Sequence, residues 1–524
     1  MRQFYFLFLF CCLWATTLLA QTVVDPNLNG TPEFPFTYLD QFVEANNGGS
    51  GSDNVYLLAR GGTYFFTSRA TWDFNVEFRA DGDEMLPRPL VSRINLAGGP
   101  PQDMYRGFGD LTFDGIYLVP GDEGPEAVQY ETGSIRPSGD STQITFRNCV
   151  IEKDRQAVLR LNATNVSILF EHCEIRNLGD YEKFQGNGRV VTPRVTFPDS
   201  IIIRDCYIHN LLDRVYIGFR QVGLNYFEFT GNTVYNHIGR HGFFQMKNTR
   251  ETIIQNNLFI NPMMQGTTPS LANEQISHFG EQIYLFTLDT LVDGGSITMS
   301  NNNLFWNEDV LNQLNSIDSV DVPNVLSPLF AEQLENPDGA FFTEVLELNN
   351  VPSRAPLLTF AAESVATRAS SGLTNIMVEP ENLNTNPSNP YVFNFANYDP
   401  CFNLEAYPAS ATGATDGGPV GARWACTYIN SAKELTYNPS LELKATPNPV
   451  QDMTQLSFHT FERGVVKLNV HDMNGRTVAR LLNTELPAGL HTQEWDALRT
   501  LPAGMYLAHL QTNSGRMFIR IVKK

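Results

Sequence analysis

The chain has 524 residues, of which 56 are acidic and 36 basic, and its formal net charge is −20. The charge is uneven: residues 441–524 carry ten basic and seven acidic side chains, whereas residues 1–440 carry 26 basic and 49 acidic ones. A body this acidic disfavours nucleic acid and anionic membranes as partners. The chain is longer than the roughly 300 residues that one compact core holds, so we expect two domains or an elongated repeat.

Residues 1–20 predict a signal peptide. Arg2 gives a positive start, residues 4–19 are almost wholly apolar, and Ala20 precedes a cleavage point before Gln21. The apolar run is shorter than the roughly 18 to 20 residues that span a membrane, and no charged stop-transfer segment follows it. We therefore expect an exported chain with no transmembrane segment after removal of the signal.

A short pattern recurs along the middle of the chain: an apolar run, a polar pair that often contains Asn or Asp, and a second apolar run. The runs alternate with period two and are rich in Ile, Phe, Thr and Val, as β-strands are. The base period is near 24 to 27 residues, and the leucine-rich consensus is missing. The pattern predicts an all-β fold, a right-handed parallel β-helix over residues 21–427. It occurs at residues 111–118, 144–151, 168–175, 201–208, 227–235, 252–260 and 297–306.

Stacked coils place like residues above one another, about 4.8 Å apart. Aligning the repeats on Cys149 predicts one inward column and a separate asparagine column that lines a turn. We interpret the cysteines of the inward column as small apolar packing residues rather than redox groups. The inward column comprises Ile116, Cys149, Cys173, Cys206, Thr233, Leu258 and Leu304, and the asparagine column comprises Asn232, Asn257 and Asn302.

The two ends of the predicted β-helix need covering, because open sheet edges aggregate. The segment from Tyr38 to Asn46 predicts a short amphipathic helix that caps the first strands at residues 55–66. Residues 310–427 are less regular and predict the last coils with loops packed against them. Cys401 and Cys426 flank one loop of an exported chain, and the sequence leaves a disulfide and two free thiols equally open.

The coil pattern resembles the pectate-lyase and chondroitinase-B-like superfamily of right-handed β-helices, and the segment DGGPVGARWA at 416–425 is similar to endings of its exported members. The resemblance covers residues 24–427. It implies a lyase that uses a Lys and an Arg from neighbouring coils, assisted by calcium bound to acidic residues. Here Arg220 precedes Lys247, which is the opposite order. Asp199, Asp205 and Asp213 are nearby but scattered, so calcium is a candidate cofactor with unknown ligands.

The last part of the chain is a separate module. Residues 428–440 form a polar linker, and residues 441–524 alternate strands with Asn-Gly and Ala-Gly turns, which predicts a small antiparallel β-sandwich. Pro447-Asn448-Pro449, the turn at 472–475, the segment 502–506 and the basic end at Lys523-Lys524 resemble the type A C-terminal sorting domain of the type IX secretion system. The resemblance implies this machinery as a partner and a secreted or outer-membrane surface location.

Basic residues are concentrated at 155–250, a segment that contains 12 basic and eight acidic side chains. They recur in pairs at the same part of successive coils. Strand alternation predicts that Arg160, Arg194, Arg220 and Lys247 form an exposed column. The pairs are Arg155 with Arg160, Arg189 with Arg194, Arg214 with Arg220, and Arg240 with Lys247; Tyr216 and Phe243 are expected to give the column an aromatic side, and Gln245 to point outward.

This column suggests a groove for an acidic polysaccharide, since Arg suits bidentate contacts with carboxylate and sulfate. Elimination at a uronate needs a group that neutralises its carboxylate and a base that removes a proton. We assign Lys247 as the base, because its arginine neighbours disfavour the charged form, with Arg220 and Arg240 as neutralisers. The expected substrate-binding residues are Arg160, Arg194, Arg214, Tyr216, Phe243, Gln245 and His241.

Two other interpretations of the column remain open at this point. The protein could be a surface glycan-binding or adhesive β-helix without catalysis, which needs the column but no base. The column could also be a solvated face with its own counter-charges. Glycoside hydrolysis needs paired carboxylates at the groove and is less favoured on this basic face. We expect a monomer in each case.

Overall fold

The computed structural model describes residues 21–32, 34–84, 86–94, 96, 103–122, 134–154, 156–179, 188–218, 220–239, 241–267, 283–316, 322–367, 398–424, 426, 441–461, 463–472, 477–496, 501–512 and 515–524. The chain divides into two compact units, Met1–Cys426 and Thr427–Lys524. The predicted signal peptide at 1–20 and the linker at 428–440 lie outside the described residues.

Unit 1 winds repeatedly through three parallel sheets, and each strand pairs with the strand one coil further on. This arrangement confirms the predicted parallel β-helix. In the described residues, sheet 1 has ten strands: Gln21–Val24, Asp53–Ala59, Asn75–Asp81, Leu111–Asp114, Gln143–Arg147, Ser167–Glu171, Ser200–Arg204, Leu224–Thr230, Thr249–Gln255 and Leu291–Ser300.

From residue 53 to residue 326, sheet 2 follows sheet 1 in each coil, and sheet 3 follows sheet 2. The described part of sheet 2 has eleven strands: Thr37–Tyr38, Thr63–Phe66, Leu90–Arg93, Tyr117–Asp122, Val150–Glu152, Glu174–Leu178, Tyr207–Leu211, Thr233–His237, Leu258–Ile260, Asn302–Phe305 and Phe341–Phe342. The described part of sheet 3 has five: Ala157–Leu161, Arg189–Pro193, Tyr216–Ile217, Phe244–Met246 and Phe286–Leu288. Single bridges at Ala70, Tyr105 and Ile135 extend sheet 3 towards the N-terminus.

The interior of the coils is packed by like residues stacked along the axis. Phe78, Phe113, Phe146 and Phe170 occupy one column of sheet 1, with successive ring centroids 5.4, 5.6 and 4.7 Å apart. In-register parallel pairing places each ring on the ring of the next coil. Offset stacking of this kind adds to the free energy gained by burying the rings.

From residue 111 onward, each coil turns from sheet 1 into sheet 2 at one residue in the left-handed αL conformation. This position is occupied by Gly, Asn, Asp or His, which tolerate positive φ better than β-branched residues do. The polar pair of the sequence repeat is therefore the corner of the coil. The corner residues are Gly115, Asn148, His172, Asp205, Gly231, Asn256 and Asn301, with φ between 49° and 74°.

The residue after each corner points inward and forms one continuous ladder. Tyr207 pairs with Thr233, so Cys206 lies beside Asn232, and its amide donates to the Asn232 side-chain oxygen at 2.9 Å. The predicted cysteine and asparagine columns are therefore the same column. The sequence alignment was wrong at its later members, because it assumed apolar inward residues and so placed Thr233 and Leu258 one position, and Leu304 two positions, too late. The ladder is Ile116, Cys149, Cys173, Cys206, Asn232, Asn257 and Asn302.

Asn257 illustrates how a buried amide serves the ladder. Its Oδ1 accepts the backbone N–H of Asn232 at 2.9 Å, and its Nδ2 donates to Phe229 O at 2.8 Å and to Asn302 Oδ1 at 2.9 Å. The side chain is fully buried. It therefore satisfies polar groups of the coils on both of its sides, which an apolar residue cannot do.

Replacing Asn257 by Leu should lower the free energy of unfolding by about 3 kcal/mol, because buried amide and carbonyl groups lose their partners while the volume stays similar. Urea unfolding of the mature chain, residues 21–524, measures the loss. Glu251→Ala, an exposed change on the neighbouring strand of sheet 1, is the control and should stay within about 0.5 kcal/mol of the parent. Equal stability of Asn257→Leu and the parent would contradict the structural role of the ladder.

Helices cover the β-helix at several points. The helix predicted at Tyr38–Asn46 is present at Leu39–Asn46, with Leu39 and Val43 in the core. It follows a first coil, Gln21–Val24 and Thr37–Tyr38, that the sequence prediction missed. The other described helices are Glu308–Ser316, Pro328–Glu332, Ala355–Thr367 and Pro408–Thr412, with a 3₁₀ turn at Pro337–Gly339 and an antiparallel pair at Leu348–Asn350 and Asp399–Phe402.

The end of unit 1 runs back across the corners of earlier coils. We call residues 413–424 the strap. Its backbone bonds to four coils, and it ends next to Cys426, which forms a disulfide with Cys401. The strap contacts are Asn301 Nδ2 to Gly413 O at 2.7 Å, Gly421 N to Asn256 O at 2.8 Å, Ala422 N to Thr233 Oγ1 at 2.9 Å and Trp424 N to Asp205 Oδ1 at 3.3 Å.

The cysteine arrangement gives a direct chemical test. Cys149, Cys173 and Cys206 are fully buried thiols, whereas Cys401 and Cys426 are paired. Iodoacetamide should therefore label no cysteine of the folded mature chain, three after denaturation without reductant, and five after denaturation with reductant, as counted by mass spectrometry. Labelling of Cys401 or Cys426 before reduction would contradict the disulfide.

Unit 2 consists of two antiparallel sheets packed around one core, which confirms the predicted β-sandwich. Leu456, Phe458, Leu468 and Trp495 lie in this core and are essentially buried. One sheet contains Lys444–Thr446, Thr454–Thr460 and Gly489–Trp495, and the other contains Thr477–Leu486, Gly464–Asp472, Gly504–Thr512 and Gly515–Lys523. Across the described residues of both units, none of the helices is long and apolar enough to span a membrane.

Candidate anion-binding face of sheet 3

The outer side of sheet 3 carries the basic residues selected from the sequence. Leu159 and Leu161 are buried inside the coil, so Arg160 between them points outward. Arg160 pairs with Thr192, and Arg194 lies two positions further along the chain, just after the strand Arg189–Pro193. The predicted single column is therefore wrong in register. The row of Arg160 continues through Thr192, Ile217, Gln245 and Thr287, and Lys247, like Arg194, lies two positions beyond that row.

The structure nevertheless brings three of the predicted arginines into one electrostatic environment. Partial burial and the charges of Arg136, Arg194 and Arg220 lower the pKa of Arg160 to about 10. Partial burial and the charges of Arg194 and Arg189 also lower the pKa of the exposed Arg220. Like charges placed this close raise the free energy of the unliganded protein, and a bound anion would relieve the repulsion.

Arg194 occupies the middle of this group. It is half-buried, and its guanidinium has no hydrogen bond or ion pair within the described residues. Arg160, by comparison, donates to Gln156 Oε1 at 2.7 Å. Arg194 is therefore the cation of this face that is most available to a ligand.

A buried aspartate gathers further arginines at the N-terminal end of the face. Asp103 is only 1% exposed and lies 3.5 Å from Arg69 Nε and 2.8 Å from Arg136 Nε, and it also pairs with Arg106. Arg106 and Arg136 share the row of Arg160. Neither residue was predicted from the sequence, although a basic residue lies five to eight positions before each repeat from 111–118 to 252–260 and could have revealed them.

A second buried aspartate organises the C-terminal end. Asp213 lies 2.7 Å from Arg189 Nε, 3.2 Å from Arg214 Nη2 and 3.2 Å from His241 Nδ1. Burial raises the pKa of this carboxyl, but the charges of Arg214, Arg189 and His241 outweigh it and hold the pKa well below its usual range. Arg214 also donates to Gln245 Oε1.

Arg214 and Gln245 are fully buried, so the prediction that Gln245 points into solvent is wrong. The Gln245 side chain does point away from the core, as strand alternation predicts. The cluster of residues around Asp213 covers it, so it does not reach solvent. Both residues hold the floor of the face in place and are not open to a polysaccharide.

The predicted aromatic side of the column is also wrong. Tyr216 and Phe243 are fully buried in the core, where Tyr216 lies 5.0 Å from Phe227 and Phe243 lies 4.6 Å from Phe244 between ring centroids. Gly242 has a φ of +82°, which interrupts strand alternation and turns both Phe243 and Phe244 inward. In the two-residue strand Tyr216–Ile217, Tyr216 pairs with Val191 and Phe244 on the neighbouring coils. This pairing fixes which side chain points inward, so Tyr216 faces the core and Ile217 faces outward.

Lys247, the predicted base, lies at the edge of the face with about a third of its side chain exposed. Its Nζ is 3.4 Å from Asp289 Oδ2, a carboxylate 42 positions later in the chain. Arg220 is on the preceding coil, and Arg240 lies outside the described residues. His237, next to this region, donates from Nε2 to Asp213 O at 2.6 Å, and burial lowers its pKa to about 4.

The aspartates considered as calcium ligands do not form one site. Asp199 accepts from Asn225, Asp205 sits at a corner beside His172 and the strap, and Asp213 is surrounded by cations. Among the described residues, one group of three side chains has ligand atoms close enough for a metal, namely Asp399, Cys401 and Cys426, but its two sulfur atoms are joined as a disulfide. Calcium therefore enters no step proposed below.

Comparison with known proteins identifies the C-terminal unit. Residues 444–524 match the family model of the secretion system C-terminal sorting domain. No curated protein and no solved structure matches the chain. The class is thus an exported parallel β-helix with a C-terminal sorting domain of the type IX secretion system. The protein is secreted or attached to the cell surface.

Proposed function

We propose that this exported protein binds an acidic polysaccharide along the outer face of sheet 3. We call Arg106, Arg136, Arg160, Arg194, Arg220 and Lys247 the cationic face. The observation that carries the proposal is Arg194, a half-buried guanidinium without a counter-ion among the described residues, placed where its charge acts on Arg160 and Arg220.

The cationic face has the form of a track rather than a pocket. Its six members come from six consecutive coils, and coils are about 4.8 Å apart, so the track runs about 24 Å along the axis. A linear polymer with a carboxylate or sulfate on successive sugars presents its charges along one line in the same way. Planar guanidinium groups match such anions bidentately.

The alternative of a solvated basic face accounts for the two ends of the track but not for its middle. Asp103 at one end and Asp289 at the other supply counter-charges to their neighbours. Arg194 has none within the described part of the chain. Its guanidinium is therefore free to pair with an anion from outside the protein.

Arg194→Gln should weaken binding to an acidic polysaccharide about tenfold, because it removes one charge-assisted contact. Affinity electrophoresis of residues 21–524 through gels that contain polygalacturonate, alginate or heparin measures the change. Binding of the parent should fall as salt is raised, since exposed charges are screened.

Arg204→Gln is the matched control, because Arg204 is an exposed arginine on sheet 1 that pairs with Glu171. It should leave the mobility shift unchanged. If no acidic polymer retards the parent, or if both variants lose retardation equally, the proposal for this face fails.

Elimination is a second candidate function, favoured by Lys247 lying on the coil next to the exposed Arg220. Arg220 would neutralise a uronate carboxylate, and Lys247, after leaving Asp289, would accept the C5 proton. The electron pair of the C5–H bond forms the C4–C5 double bond, the C4–O glycosidic bond breaks, and the departing oxygen takes a proton from water. The neutral amine of Lys247 is required for the first step.

Lys247→Ala should abolish the ultraviolet absorbance of the unsaturated uronate product if the protein is a lyase, even at polymer concentrations that saturate the variant. The measurement follows absorbance during incubation of residues 21–524 with each polymer that the gels retard. Absence of any rise with the parent would exclude elimination on those polymers and leave binding as the function. A rise in absorbance that persists in the Lys247→Ala variant would show that another residue acts as the base.

A further inference from the structure

A separate pocket lies on the outer side of sheet 2, at the coils near the N-terminus. Its volume is about 690 Å³, within the range of pockets that hold small ligands. The cationic face belongs to sheet 3, so the pocket is a different site. The pocket is lined by Arg60 and Arg88 at the rim, Asp114 and Asn148 at the wall, and Glu174 and Arg176 at the floor, among other residues.

The floor of the pocket is a buried network of charged groups. Arg176 Nε lies 2.6 Å from Glu152 Oε2, and its Nη1 lies 2.8 Å from Glu174 Oε1. Tyr117 donates to Glu152, and His209 Nε2 lies 2.9 Å from the same Glu174 oxygen. Five side chains from four successive coils of sheet 2 are thereby held in one connected arrangement.

This network remains ionised. Burial raises the pKa of Glu174, but Arg176 and the hydrogen bond from His209 outweigh burial and lower the pKa to about 2. Burial lowers the pKa of Arg176, yet Glu152 and Glu174 raise it well above its usual value. A buried ion network does not stabilise a protein more than apolar packing of similar volume would. Its presence under a pocket therefore suggests a role in ligand recognition.

The rim supplies cations that the protein itself does not neutralise. Arg60 makes one long hydrogen bond, from Nη1 to Leu86 O at 3.4 Å, and Arg88 donates from Nε to Asn148 O at 2.8 Å. Neither guanidinium has an ion pair within the described residues. Both are half-buried, and their remaining N–H groups are available to a ligand.

Acceptors stand beside these donors. The Asp114 carboxylate accepts from Asn148 Nδ2 at 2.8 Å, and Asp114 and Glu174 both line the pocket. A ligand that fits must therefore carry an anionic group for the arginines and several hydroxyl groups for the carboxylates. Acidic sugars meet both requirements, because each unit carries one carboxylate or sulfate together with several hydroxyl groups.

We propose that the pocket on sheet 2 binds a single acidic sugar unit, with its carboxylate or sulfate between Arg60 and Arg88 and its hydroxyls towards Asp114 and Glu174. This inference goes beyond the cationic face and does not depend on it, because the two sites share no residue. Binding to a polymer through sheet 3 can fail while the pocket still takes a monosaccharide.

Isothermal titration calorimetry of residues 21–524 with glucuronate tests the proposal, with glucose as the neutral counterpart. We expect saturable binding of glucuronate at least tenfold tighter than that of glucose. Arg60→Gln should weaken glucuronate binding about tenfold, because a charge-assisted contact is lost. The long bond to Leu86 contributes little to folding, so this variant should keep the circular dichroism spectrum and melting temperature of the parent.

Arg88→Gln is the second variant and should weaken glucuronate binding to a similar degree. Arg204→Gln, an exposed arginine on sheet 1 outside both sites, is the matched control and should bind like the parent. Equal affinity for glucuronate and glucose, no saturable heat with either sugar, or unchanged affinity in both rim variants would each overturn the proposal. Because Arg194→Gln alters only sheet 3, loss of polymer binding in that variant with intact glucuronate binding separates the two sites.

Discussion

The hydrogen bond that passes from each inward ladder residue to the next coil is the interaction on which unit 1 depends. An αL corner leaves the following amide inside the coil, where it has no partner on its own strand. Asn232, Asn257 and Asn302 meet this need by accepting an amide from the preceding coil and donating to a carbonyl of the neighbouring strand. Buried backbone groups left without partners would cost more than apolar packing returns.

Because the corner between sheets 1 and 2 is fixed, variation in the length of the coils is concentrated in the turn that leads into sheet 3. The spacing between successive ladder residues ranges from 24 residues, between Cys149 and Cys173, to 45, between Asn257 and Asn302. Chain can be added before sheet 3 without disturbing the ladder. The buried carboxylates of Asp103 and Asp213 stand in this turn and fix arginines that would otherwise repel one another. The uniform corner between sheets 1 and 2 thus allows the turn before sheet 3 to carry clusters of charged residues.

The repeat pattern was sufficient to predict the parallel β-helix, although not its first coil, and the terminal motifs were sufficient to predict the sorting domain. Both signals are local, because strand alternation and turn residues appear within a few positions of each other. The ladder register was not predictable in this way, since a buried Asn is acceptable only when the next coil supplies its partner.

The candidate site shows the same difference between local sequence signals, which could be predicted, and contacts between distant residues, which could not. Arginines on successive coils could be selected by spacing, but their counter-charges could not. Asp103 and Arg136 are 33 positions apart, and Lys247 and Asp289 are 42 apart, so neither pair leaves a mark in a short window. Strand alternation also failed at Phe243, where the positive φ of Gly242 changes the direction of the following side chain.

The strap carries a consequence for the order in which unit 1 is completed. Its amides bond to Asn256, Thr233 and Asp205, coils that precede it by more than 150 residues. These three residues therefore gain their strap hydrogen bonds only when the last residues of unit 1 are in place. Formation of the Cys401–Cys426 bond then ties the final residue of unit 1 to its own body. An exopeptidase that trims the chain after loss of the sorting domain would meet a cross-linked end rather than a free one.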